Sequence, residues 1–232
     1  MTLFASVFPI ICWVAYNFLV PFVERQRPSL SVIMSMQRRR WVANATRRET
    51  PMDAILAGNL MGSVSFLAST SMLLVLAIFA AFGQLPTLMR ALSNFGLSND
   101  YTAGDMQVHL LVLLGIFVSS FFAFTLSLRQ FNHFCIMLGA ISHDVPASEE
   151  EIDSIALLNS LAAKNFNSGI RAYYFAVPAV AWFASSWLSI AVTVITAGFI
   201  VHREFFSSAH RIAASVAVIA SRREQRQEKV DG

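Results

Sequence analysis

The chain has 232 residues, 56% hydrophobic and only 13% charged, with a formal net charge of +3. A soluble domain carries about a quarter charged residues, and twenty phenylalanines beneath so thin a charged surface would leave large apolar patches in water. A water-soluble globule is therefore excluded, and the apolar residues instead gather in runs near the about 20 residues that a helix needs to cross a bilayer.

The first run is residues 3–22, "LFASVFPIICWVAYNFLVPF". It is too long for a signal-peptide core and lacks a basic start and a small-residue cleavage site, so it is expected to be retained. Next comes "QRRRWVANATRRET", residues 37–50, with five arginines in fourteen positions. With Arg25 and Arg27, this loop sets seven arginines against Glu24 and Glu49. Short basic loops stay cytoplasmic. Arg38, Arg39, Arg40, Arg47 and Arg48 are also candidate contacts to anionic lipid headgroups, and Trp41 suits the membrane interface. A nucleic-acid role for the arginines fails because no soluble module presents them.

The second run covers about 51–82. Thr50 fits an N-cap, Pro51 the first helical position, and Asp53 the first turn, where the helix dipole favours an acid. Within it, "GNLMGSVSFLASTS" places Gly58, Gly62, Ser65 and Ser69 on one face. Small residues let helix backbones approach in lipid, so this face is expected to meet another helix, of this chain or of a second copy. Asn59 is expected to point into the bundle. The loop at 83–107 holds one arginine, Arg90, with Asp100 and Asp105, and reads as external.

The third run is 108–128. Just beyond it, in "SLRQFNHF", Arg129, Asn132 and His133 stand at helical spacing. Residues 148–166 read as an amphipathic helix lying against the cytoplasmic face. Ser148 caps it, Glu149 to Glu151 fill its first turn, and Ile152, Ile155, Leu158 and Leu161 or Ala162 form its stripe. The fourth run is 173–201. Asn165, Asn167, Arg171 and Tyr173 enter it at about the cytoplasmic depth of Arg129.

Backbone groups in lipid must be satisfied within the segment, so the runs are helices, and none shows the short alternation of a β-barrel. The fold class is all-α, a polytopic membrane bundle of four transmembrane helices with amphipathic helices in the cytoplasmic loops and tail. Residues 1–203 form the four-span domain and 204–232 a basic C-terminal helix with a frayed end. Four spans put both termini outside. The tail resists that scheme, because Arg203, Arg211, Arg222, Arg223, Arg226 and Lys229 would then lie on the outer side. "IAASVAVIA" is read as dipping into the interface.

The polar residues near the spans group into one expected hydrogen-bonded cluster at the cytoplasmic end: Asn59, Arg129, Asn132, Arg171 and Tyr173. Burying any of these unpaired is costly. No acid lies inside a span to neutralise a cation or relay a proton.

"RRRWV", "NLMGSVSFLASTSMLL", "SFFAFTLSLRQFNH" and "NSGIRAYYFAVPAVAW" together resemble the membrane family called domain of unknown function 599, found in bacteria and plants. The resemblance runs from about residue 10 to residue 200 and omits the tail. It implies a multi-span helical membrane protein, brings no catalytic residue, and places the five residues of the polar cluster on family motifs.

The two cysteines, Cys12 and Cys135, are expected to be free thiols. CxxC, HExxH, GxGxxG and P-loop motifs are missing from the sequence. His109 and His202 are expected near the outer boundary. The reading is a non-enzymatic protein of a bacterial inner (plasma) membrane, with no cofactor, no metal and no nucleic-acid partner. It sits in the lipid bilayer in a structural or accessory role, packing with itself (a homo-oligomer) or with a larger membrane complex. The alternative is a small channel or transporter that uses the polar cluster. A continuous serine stripe through spans two, three and four would favour that alternative.

Overall fold

A computed structural model describes residues 1–48, 52–94, 96, 101–142 and 144–231. They form helices α1 (Thr2–Glu24), α2 (Leu30–Ala45), α3 (Met52–Gly83), α4 (Leu85–Asn94), α5 (Ala103–Gly139), α6 (Glu149–Ala181), α7 (Ser186–Phe205) and α8 (Ser208–Asp231). The all-α bundle is as expected. Four stretches are long and apolar enough to cross a membrane: Thr2–Glu24, Met52–Gly83, Ala103–Gly139 and Ser186–Arg223.

Several starts follow from local chemistry. Ser29 caps α2 by accepting from the Val32 amide at 3.3 Å, and Ser148 caps α6 by accepting from Glu151 at 3.2 Å. Thr102 and Asp105 make a reciprocal capping box on α5. Thr50 and Pro51 lie outside the described residues. Asp53 does occupy the first turn of α3, buried, where its carboxylate accepts from Trp41 Nε1 at 2.6 Å.

The centre of the bundle is the antiparallel pair of α5 and α6. Asn165 donates to Gln130, Ser127 donates to the Ala162 carbonyl, and Phe124 lies beneath Gly169. Tyr173 meets Phe117 edge-on, and His109 reaches the Ala179 carbonyl. The two helices thus run side by side from a basic end, where Arg39 meets Glu149, to an end marked by Trp182.

Here the structure departs from the expected fourth span. Residues 148–166 are not a separate surface helix; they continue without interruption into α6, which ends at Ala181. The stripe was correctly placed, since Ile152, Ile155 and Ala162 are buried in the core. The run at 173–201, however, is two helices. Pro178 supplies no amide hydrogen, three residues before the helix ends, and Ser185 is extended at φ −166° and ψ 140°. Carbonyls released by the break find other donors. Tyr101 hydroxyl donates to Trp182 O at 3.0 Å and Phe183 O at 2.7 Å, and Ser189 donates to Pro178 O at 2.9 Å.

The break changes the path. α1, α3, α5, α6 and α7 each run between the two ends, which makes five legs. The start of α1 is held at the Trp182 end, where Thr2 O accepts from Trp182 Nε1 at 3.0 Å. α8 lies at the basic end, where His210 Nε2 donates to Pro28 O at 3.0 Å. The termini are therefore at opposite ends, not together. The basic tail shares an end with α2, and α8 runs to Asp231.

Candidate functional site

The expected five-residue cluster does not form. Asn59, Arg129 and Asn132 are exposed, as is His133. The inward face of α5 is Ser120, Phe124, Ser127, Phe131 and Phe134, and Arg129 stands about 140° round the helix from Phe124. Equal spacing aligned Arg129 with Asn132, but on the wrong side. Ser127 lies opposite Ala162, so Arg171 sits more than two helical turns from Arg129, nearer the Trp182 end. Tyr173 bonds Ser71 Oγ at 2.8 Å and Leu67 O at 3.3 Å on α3. One predicted group has become separate contacts.

The small-residue face also points outward. The buried residues of α3 are Asp53, Ala57, Val64, Ala68, Ser71 and Val75, whereas Gly58, Gly62, Ser65 and Ser69 are exposed. A methyl built on Gly58 or Gly62 meets nothing within 4 Å. Of the two partners expected for this face, a helix of the same chain does not meet it. Close packing occurs instead at Gly169, where an added Cβ would lie 2.5 Å from Phe124 Cε1. Its only sequence signal is a glycine in mid-helix.

The five arginines of the basic segment have different occupations. Arg39 donates Nη2 to Glu149 at 2.5 Å and Nε to Asp153. These two carboxylates raise the Arg39 pKa above its ordinary value. Arg48 donates to Asn44 O and lies 3.9 Å from Asp53. Arg40 is half-buried and Arg47 exposed. Trp41 is half-buried; it packs against Phe134 and donates to Asp53.

Arg38 faces a cavity of about 160 Å³ between α2, α6 and α7 at the basic end. Its polar walls are Ser31, Arg38, Asn167, Arg171, Arg203 and Glu204. Arg171 Nη2 donates to Glu204 Oε1 at 2.8 Å, with the two side chains only 15% and 14% exposed. The Arg171 guanidinium lies 5.2 Å from the Tyr16 ring centre, and its Nε is buried without a partner among the described residues. Arg203 donates to the Tyr174 hydroxyl and covers that ring. Asn167 donates to Ser31 Oγ at 3.4 Å. Burial pushes the Arg38 pKa down, because desolvation opposes its charge. Three guanidiniums face one carboxylate, so the walls carry a formal charge of +2.

The other polar centre is at the Trp182 end. His109 is fully buried, with Nε2 2.8 Å from Ala179 O and Nδ1 2.7 Å from Ser6 Oγ. It stacks on Trp182 at 4.0 Å, and Trp182 stacks on Tyr101 at 4.4 Å. His202 is exposed in the last turn of α7, at the basic end, so the two histidines do not share a boundary. Among the described residues, no three His, Cys, Asp or Glu side chains gather as metal ligands. Cys12 and Cys135 are free.

A family model described as "Protein of unknown function, DUF599" matches residues 4–209. The chain belongs to the DUF599 family. No curated protein and no solved structure matches it. The DUF599 match is longer than the resemblance read from the motifs. It takes in every wall of the cavity and both ends of the Ser6–His109–Ala179 contact, and it leaves out most of α8.

Proposed function

We propose that this DUF599 chain is a structural or accessory component of the bacterial inner membrane, working by packing against a second copy or a larger complex and not by conducting a solute. The observation that carries this reading is where the span hydroxyls point. Ser63 donates to Asn59 O, Thr70 to Phe66 O, Ser120 to Ile116 O and Thr125 to Phe121 O, each on its own helix. Ser127 and Ser189 donate to neighbouring backbone carbonyls. Hydroxyls satisfied by backbone carbonyls need no water, which argues against a wet stripe.

The open Gly58–Gly62 face supports the packing role, because it lets a partner helix approach closely. Orientation follows from charge. Of seventeen lysines and arginines, only Arg90 sits on an element at the Trp182 end. The basic end is cytoplasmic on this reading.

The test is the purified chain in liposomes, with potassium, chloride and proton fluxes followed by dyes, beside its mass in detergent. The expected result is flux at the level of protein-free vesicles and a particle larger than one 25.7 kDa chain. A flux proportional to the protein added, lost in Arg171→Gln, would overturn the reading.

A further inference from the structure

The cavity between α2, α6 and α7 is not explained by a packing role. We propose that it is a binding site for a phosphomonoester group, the arginines Arg38, Arg171 and Arg203 forming its cationic wall. This goes beyond the accessory role and does not rest on it.

The argument begins with charge. Arg171 and Glu204 are mostly buried and satisfy each other in part. Glu204 is the single acid among the described lining residues, so Arg38 and Arg203 remain as uncompensated charge on the walls. Arg38 has no ion-pair partner among the described residues, and Arg171 Nε is buried without an acceptor. A partly buried cation without counter-charge, as Arg38 is, is unfavourable. An anion would remove that cost, and a dianion would balance the +2 of the walls.

Geometry selects the chemistry. A guanidinium is a planar fork of donors that matches the oxygens of phosphate in pairs. Asn167 and Ser31 add neutral polar groups on the same wall. The volume, about 160 Å³, accommodates one phosphate group. The apolar residues Leu30, Met34 and Ile200 line the same cavity, so an acyl-bearing phosphate could enter from lipid beside them. Two sources share this chemistry, a lipid headgroup and free phosphate.

The test uses the full chain in phosphatidylcholine nanodiscs at fixed ionic strength. Inorganic phosphate is titrated in one arm, with chloride as the control. Phosphatidic acid is added to the nanodisc lipid in the other. Thermal stability and lipid retained in native mass spectra are read. Stabilisation by inorganic phosphate assigns a soluble ligand; retention of phosphatidic acid without that stabilisation assigns a lipid headgroup. Arg38→Gln and Arg203→Gln should each weaken the effective ligand about tenfold, the loss of a hydrogen bond to a charged group. Arg47→Gln, exposed and outside the cavity, should bind as the parent does. Equal weakening in Arg47→Gln, or no response to either probe, would overturn the proposal. Should Arg38→Gln fail to fold, Arg203→Gln decides it alone, since its side chain is exposed.

Discussion

His109 on α5 reaches across to the carbonyl of Ala179 on α6 at 2.8 Å, just before the break that turns the chain back. A carbonyl only accepts, so Nε2 carries a proton, and in the neutral ring Nδ1 accepts from Ser6 on α1 at 2.7 Å. One neutral ring thereby fixes three helices around the stack of Tyr101, His109 and Trp182.

Replacing that ring by an apolar one separates the hydrogen bonds from the stacking. His109→Phe should keep much of the packing while leaving Ala179 O and Ser6 Oγ unpaired. The expected loss is about 1–3 kcal/mol for each buried group left unsatisfied. Ser6→Ala, which removes one partner only, should cost less. Thermal unfolding in detergent reads both, and a His109→Phe variant as stable as the parent would show that the bonds do not hold the break.

Gly169 and Gly58 should respond in opposite ways to the same methyl group. Gly169→Ala drives a Cβ into the Phe124 ring, so it should destabilise by about 1–3 kcal/mol, as overpacking does. Phe124→Leu in the same chain should recover part of that. Gly58→Ala and Gly62→Ala meet open space, and a gain in helix propensity of up to about 1 kcal/mol offsets any lost contact. In the monomer they should be neutral or stabilising. Gly58→Leu should reduce the assembled species while sparing monomer stability, and size measurement in detergent distinguishes the two.

The five-leg path makes a labelling prediction. In a chain lacking Cys12 and Cys135, single cysteines go at Asn44 on α2, Thr87 on α4 and Arg222 on α8, all exposed. An impermeant thiol reagent on intact cells should label Thr87→Cys and spare Asn44→Cys and Arg222→Cys. If Asn44→Cys and Arg222→Cys reported opposite sides, the path with α2 and α8 at one end would be wrong.

The long apolar helices were legible because composition and run length suffice for them, and the Ser148 cap and the Ile152–Ile155 stripe because they depend on local spacing. The break at 182–185 was not. The run at 173–201 is apolar throughout, and the carbonyls it releases are satisfied by Tyr101 and Ser189, distant partners that no local pattern shows. Pro178 was the available signal. The polar cluster failed for a related reason. In lipid both faces of a helix are apolar, so periodicity could align Arg129 with Asn132 but could not say which face met α6. Arg171 was assigned to that cluster, whereas its partner, Glu204, lay just past the run and was counted with the tail.

The Arg171–Glu204 pair gives the sharpest energetic test. Glu204→Gln leaves Arg171 partly buried with its charge uncompensated, and Arg171→Gln strands the carboxylate in the same way. Each single change should destabilise by about 3–5 kcal/mol if the site behaves as fully buried, and by less in proportion to the 15% and 14% exposure that lets water screen it. Carrying both changes should cost less than the sum, because neither residue is then left charged and alone. The coupling from this double-mutant cycle should fall in the range of about 0.5–3 kcal/mol that contacting residues show. Tyr16→Leu, which removes the ring beneath the guanidinium, should cost about 0.5–1 kcal/mol more in the parent than in the Arg171→Gln background. Thermal or denaturant unfolding of the six chains in one detergent reads all of these terms, and strictly additive losses would mean that the two side chains hold separate environments and not each other.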